Sequence, residues 1–138
     1  MDKYERLSMS LGLVTMLLGI QFLLGMYINL YVSLPSGTHS FAGYMASSPV
    51  VATHVVMAFL VVVVDFMAFF MAIHARIGNL YIFSVLLSLI SIVISGVSGM
   101  LFLMAGESNL YSFLMALFFL LAFAFIGFGM TGTRKAKS

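Results

Sequence analysis

The sequence predicts an all-α integral membrane protein, an antiparallel bundle of four transmembrane helices with both termini in the cytoplasm, on three observations. First, 63% of its 138 residues are hydrophobic and 7% are charged, whereas about a quarter of a soluble domain is charged. So little polar material cannot cover a water-facing surface, and lipid must solvate most of the chain. Second, four apolar runs, 8–33, 49–74, 79–105 and 109–131, each reach the roughly 20 residues that cross a bilayer as a helix. Third, if the first run crosses outward, Lys3, Arg6, Arg76, Arg134, Lys135 and Lys137 all fall on one side. The positive-inside rule then assigns that side to the cytoplasm. The expectation is one multi-pass domain, 1–138, in the cell membrane.

Each element follows in order. The opening "MDKYERLSM" precedes an apolar stretch longer than a signal-peptide core, so it reads as the start of the first span and not as a cleaved leader. The loop "LPSGTHSFAGYMASSP" comes next, bracketed by Pro35 and Pro49, a helix stop and a first-turn proline. The second and third spans are separated by "ARIGN", the third and fourth by "GESN". Such short connections join antiparallel neighbours in an up-down bundle. Tyr4 and Tyr81 fall near the inner boundary, and Tyr27, Tyr31, Tyr44 and Tyr111 near the outer one, as aromatic belts do.

Composition also excludes classes of function. Six basic residues in an apolar chain make no phosphate-tracking face, so the pI near 9.1 does not imply nucleic acid. The absence of cysteine removes disulfides, thiolate metal sites and cysteine nucleophiles. No GxSxG, HExxH, P-loop or GxGxxG pattern occurs, and no nucleophile–base pair can be assembled. An independent enzyme is the least favoured reading.

The rare polar residues inside the spans carry the remaining signal. Ser84, Ser88, Ser91, Ser95 and Ser98 are spaced 4, 3, 4, 3, one stripe along the third span, with Gly96 and Gly99 nearby. Small residues and hydroxyls of this kind form packing seams between membrane helices; a proton track or a groove for a flat ligand is the alternative. Asp65 sits about 4–5 Å to the cytoplasmic side of the second span's midpoint. An ionised acid there costs about 2.5–3.5 kcal/mol, so it must face inward and find donors, stay protonated, or be solvated by trapped water. Depth alignment offers Ser88 and Ser91, with Gln21 and Thr15 within about a turn. Asp65 is thus either a proton-bearing carboxyl or an interhelical packing bond.

His54 lies three turns before Asp65, on the face His54, Ala58, Val61, Asp65, Ala68, Ala72. Asn29, Ser98, Met100, Tyr111, Ser112 and Met115 reach the same depth near the outer helix ends. This convergence is the most site-like feature of the sequence, weighed against a single bond from His54 to one neighbour. Met115 is otherwise a core filler like the remaining methionines, but a histidine and a methionine from two helices can together ligate a haem iron. His54 is then the metal ligand, with Asn29 and Tyr111 beside the cofactor. His74, next to Arg76, reads as interfacial, and His39 and Glu107 as loop residues.

The stretches "QFLLGMYINLYVSLP", "VATHVVMAFLVVVV" and "GVSGMLFLMAGESNLYSFLMALFF" resemble a group of small, largely uncharacterised archaeal and bacterial four-span proteins. More remotely, the architecture resembles one four-helix half of haem A synthase, in which histidines near the outer helix ends hold haem. That resemblance implies that His54 matches the histidine of the second helix. The fourth span here has no histidine, so the second ligand of that family is missing.

Three functions compete. The first is an accessory subunit of a respiratory or other membrane redox complex, holding a haem or contacting a quinone near His54. The second is a homo-oligomeric proton-coupled transporter or channel that uses Asp65. The third is a structural scaffold fastened to larger membrane subunits by its polar stripe.

Overall fold

A computed structural model describes residues 2–33, 41–104 and 108–135. Pro35, His39, Glu107 and Lys137, on which expectations rested above, lie outside the described residues. Among the described residues the chain is helical, with α1 (Lys3–Tyr31), α2 (Phe41–Ser47), α3 (Pro49–Ala75), α4 (Asn79–Met104) and α5 (Asn109–Lys135). Four of these, all but α2, are long and apolar enough to cross a membrane.

The helix ends depart from the apolar runs for local reasons. α1 begins at Lys3, five residues before the apolar stretch, because Asp2 and Glu5 form a capping box. The Glu5 N–H donates to Asp2 Oδ1 at 2.7 Å, and the Asp2 N–H donates to Glu5 Oε2 at 3.3 Å, which satisfies two of the helix's orphan donors. α3 starts with Pro49 in its first turn, where a missing N–H costs nothing. It ends at Arg76, whose left-handed backbone (φ 56°) lets its N–H reach the carbonyls of Ala72 and Ile73. Gly78, at φ 104°, completes the reversal into α4. The loop expected between the first two spans contains α2, whose Tyr44 is buried and which packs on α3 and α4.

α1 packs against α3 and α5, and α4 against the same two helices, closing a ring of four. Each contributes an inward row. Leu7, Leu11, Val14 and Leu18 come from α1, and Val61, Asp65, Ala68 and Ala72 from α3. All five stripe serines of α4 are buried, and α4 packs most extensively against α5, whose Ala122, Ile126, Gly129 and Gly132 are buried in turn. A Cβ on Gly129 would lie 2.8 Å from Val85 Cγ2, and one on Gly132 would lie 2.5 Å from Tyr81 Cγ. The seam therefore needs hydrogen at both positions, the small-residue device of membrane helix packing. The Ser84 hydroxyl donates to the Phe125 carbonyl at 2.7 Å, and that of Ser95 to the Met115 carbonyl at 2.9 Å.

The outer surface is the complement of this interior. Met16, Ile20 and Leu23 of α1, Phe59, Val63, Phe66 and Phe70 of α3, and Phe113, Leu120 and Phe128 of α5 are exposed. Only 17–28% of an 18-residue apolar stretch of each long helix is buried. An apolar face of this extent belongs against lipid or other membrane helices; the chain is a multi-pass membrane protein.

Candidate functional site

Two polar pairs lie inside the ring, both based on α3. Asp65 is fully buried, and its Oδ2 lies 2.8 Å from Ser88 Oγ of α4. The same Oγ lies 2.7 Å from the carbonyl oxygen of Val85, one turn back on its own helix. A hydroxyl has one proton to give and two lone pairs to receive with. If Asp65 is ionised, Ser88 must choose between two acceptors. If Asp65 carries a proton, that proton goes to Ser88 Oγ while the Ser88 proton goes to Val85, and both contacts at Ser88 Oγ are then hydrogen bonds. Asp65 Oδ1 has no hydrogen-bond partner among the described residues, a further cost to a buried anion that a neutral carbonyl oxygen bears more easily. The arrangement is built to hold a neutral carboxyl, and with it a proton, in the interior. Ser91 is buried on the same stripe, but it is Ser88 that bonds the acid.

The second pair joins α3 to α1. Gln21 Nε2 donates to the His54 carbonyl at 3.0 Å and lies 3.3 Å from His54 Nε2. Because a carbonyl can only accept, the nitrogen of the Gln21 amide must be the group on that side, which makes His54 Nε2 an acceptor and leaves the ring proton on Nδ1. Nδ1 is buried without a partner among the described residues, as is Gln21 Oε1. Gly25, one turn beyond Gln21, makes room for the ring: a Cβ there would lie 3.2 Å from His54 Cε1 and 4.0 Å from each ring nitrogen.

The face expected of α3 is the one turned inward. Val61, Asp65, Ala68 and Ala72 are buried, and Ala58 and His54 are half-buried. Other expected members separate. Gln21, grouped with Asp65 by depth, bonds His54 instead. Thr15 donates to the Leu11 carbonyl of its own helix. Asn29 is exposed, and Tyr111 and Ser112 are half-buried. Met115 belongs to the α4–α5 seam, where a Cβ on Gly99 would lie 3.2 Å from its sulfur. The outer cluster is thus two clusters, His54 with Gln21 and Gly25, and Met115 with Gly99 and Ser95.

That division decides the fit to haem. An axial ligand needs open space beyond its nitrogen for the flat macrocycle. The His54 edge that carries both nitrogens faces the α1 backbone at Gly25, and its Nε2 is engaged by Gln21. The Met115 sulfur is packed on Gly99. As arranged, these side chains do not make a haem site. Nor do three or more His, Asp or Glu side chains converge as a metal centre among the described residues. The signal for the true His54 partner was the Gln21–Gly25 pair, one donor and one gap a turn apart on α1.

No protein-family profile, curated protein or solved structure matches the chain.

Proposed function

We propose that the chain is an accessory integral-membrane subunit, an antiparallel four-span bundle of the cell membrane with both termini in the cytoplasm. In this reading it joins a respiratory or other membrane redox complex through its outward apolar faces. Its interior polar pairs fasten the helices and present no catalytic centre. The observation that carries the reading is the division of α3: Asp65 and His54 are each tied to a neighbouring helix, while Phe59, Val63, Phe66 and Phe70 are turned outward. The redox assignment of the partner rests on the resemblance to the haem-carrying four-helix half. Orientation rests on the basic residues, supported by the contact of Lys3 on α1 with the cleft that His74 and Arg76 of α3 also line.

Gentle extraction from the native membrane tests this reading. The chain should co-purify with larger membrane subunits, and in isolation it should show no Soret band that depends on His54. Recovery only as a self-assembly, or a Soret band abolished by His54→Ala, would overturn it.

A second reading is favoured by one observation, the fully buried Asp65 with Oδ1 unpartnered among the described residues and a hydroxyl at Oδ2. It makes the chain a homo-oligomeric proton-coupled transporter. Reconstituted flux that Asp65→Asn leaves unchanged would remove it.

A further inference from the structure

At the basic end of the bundle, the start of α1 lies beside the end of α3. Lys3, Ile73, His74 and Arg76 line an open cleft of about 520 Å³. Lys3, Arg6, Phe70, Met71 and His74 line a hollow of about 310 Å³ that shares Lys3 and His74 with it. Both volumes fall within the roughly 300–1,000 Å³ of small-molecule sites. The lining has two chemistries: ammonium, guanidinium and imidazole groups from Lys3, Arg76 and His74, and the exposed hydrocarbon of Phe70 and Ile73. The acids at this end, Asp2 and Glu5, accept each other's backbone N–H in the capping box and do not line either hollow.

We propose that this cleft binds the phosphate headgroup of an anionic phospholipid, with an acyl chain lying along the Phe70 side of α3. A soluble anion would use the cationic wall alone and make no use of the Phe70 and Ile73 hydrocarbon beside it. An amphiphile uses both walls at once, in the order in which a lipid presents its parts, charge at the helix ends and hydrocarbon along the helix. Basic pockets between membrane helices at the cytoplasmic side take anionic headgroups for this reason. The site is independent of the polar pairs around Asp65 and His54, at the opposite end of α3 from His54.

Lipid retention by the purified protein in a neutral detergent, read by native mass spectrometry, tests the proposal. The probes are phosphatidylglycerol, phosphatidylcholine and inorganic phosphate. The variant is Lys3→Gln with Arg76→Asn, since asparagine adopts the left-handed backbone of position 76 more readily than most residues. Arg134→Gln with Lys135→Gln is the control: it removes the same charge at the same end from residues that do not line the cleft. Phosphatidylglycerol should be retained over phosphatidylcholine, and the cleft variant should weaken its binding roughly tenfold or more, with the control near the parent. Equal retention of phosphatidylcholine, an equal loss in the control, or capture of inorganic phosphate in preference to the lipid would each overturn it.

Discussion

Replacing Asp65 by asparagine separates two accounts of the buried acid. If the side chain is neutral, its proton bonds Ser88 Oγ, and an asparagine amide placed over the same atoms can donate to that oxygen as well. The interhelical bond survives, so Asp65→Asn should change stability by less than about 1 kcal/mol, given that such bonds in membrane proteins average about 0.6 kcal/mol. If the side chain is ionised, the variant removes a charge whose placement costs about 2.5–3.5 kcal/mol, and it should stabilise by about 2 kcal/mol or more. Ser88→Ala completes the comparison. It strips Oδ2 of its partner while Oδ1 already has none among the described residues, and a buried polar group left unsatisfied costs about 1–3 kcal/mol. Reversible unfolding in mixed micelles reads all three proteins. Infrared spectroscopy adds a direct readout, because the C=O stretch of a protonated carboxyl should be present in the parent and absent in Asp65→Asn. Strong stabilisation by Asp65→Asn, or no protonated-carboxyl band, refutes the hydrogen-bond counting at Ser88.

Three further outcomes follow from the packing. Gly132→Ala places a methyl 2.5–2.8 Å from Tyr81 Cγ, Cβ and Cδ2; Tyr81 Cβ is fixed to the α4 backbone, so the helices must part. Against Gly12→Ala, where a Cβ meets nothing within 4 Å, it should be less stable by about 1–3 kcal/mol in thermal unfolding, and equal melting of the two would contradict the close approach. Gly25→Leu should displace the His54 ring and lose the Gln21 bond, whereas Gly19→Leu, in open space, should not. The His54 imidazole nitrogen resonances report the difference. Asp2→Ala should lower stability by about 1 kcal/mol through loss of the cap, measured in the same micelles with Ser8→Ala as a control.

The spans were legible because hydrocarbon imposes a length on apolar runs, and the stripe because serine at spacing 4, 3, 4, 3 can only be one face of a helix. The inward face of α3 was legible for the same reason. What failed was the vertical registration of α1. Counting from the apolar run puts its centre between residues 20 and 21, whereas the helix as formed, Lys3–Tyr31, is centred on residue 17. That slide is about one turn, enough to carry Gln21 away from Asp65 and up to His54. The signature was present as Asp2-x-x-Glu5, outside the apolar stretch where the span was sought. α2 was not legible, because the seven residues "FAGYMAS" are too short to show a helical period. Its helix goes with the burial of Tyr44 and contact with α3 and α4, which only the folded bundle supplies. The His54–Met115 pairing failed because depth alone does not say which neighbour a side chain faces around the ring.

The serine seam has a consequence for how this chain tolerates change. Ser84 and Ser95 reach across to main-chain oxygens at Phe125 and Met115, acceptors present whatever residues occupy those positions. Sequence drift on the opposing helix can therefore exchange side chains freely without unfastening the two, provided the glycines that set their spacing stay.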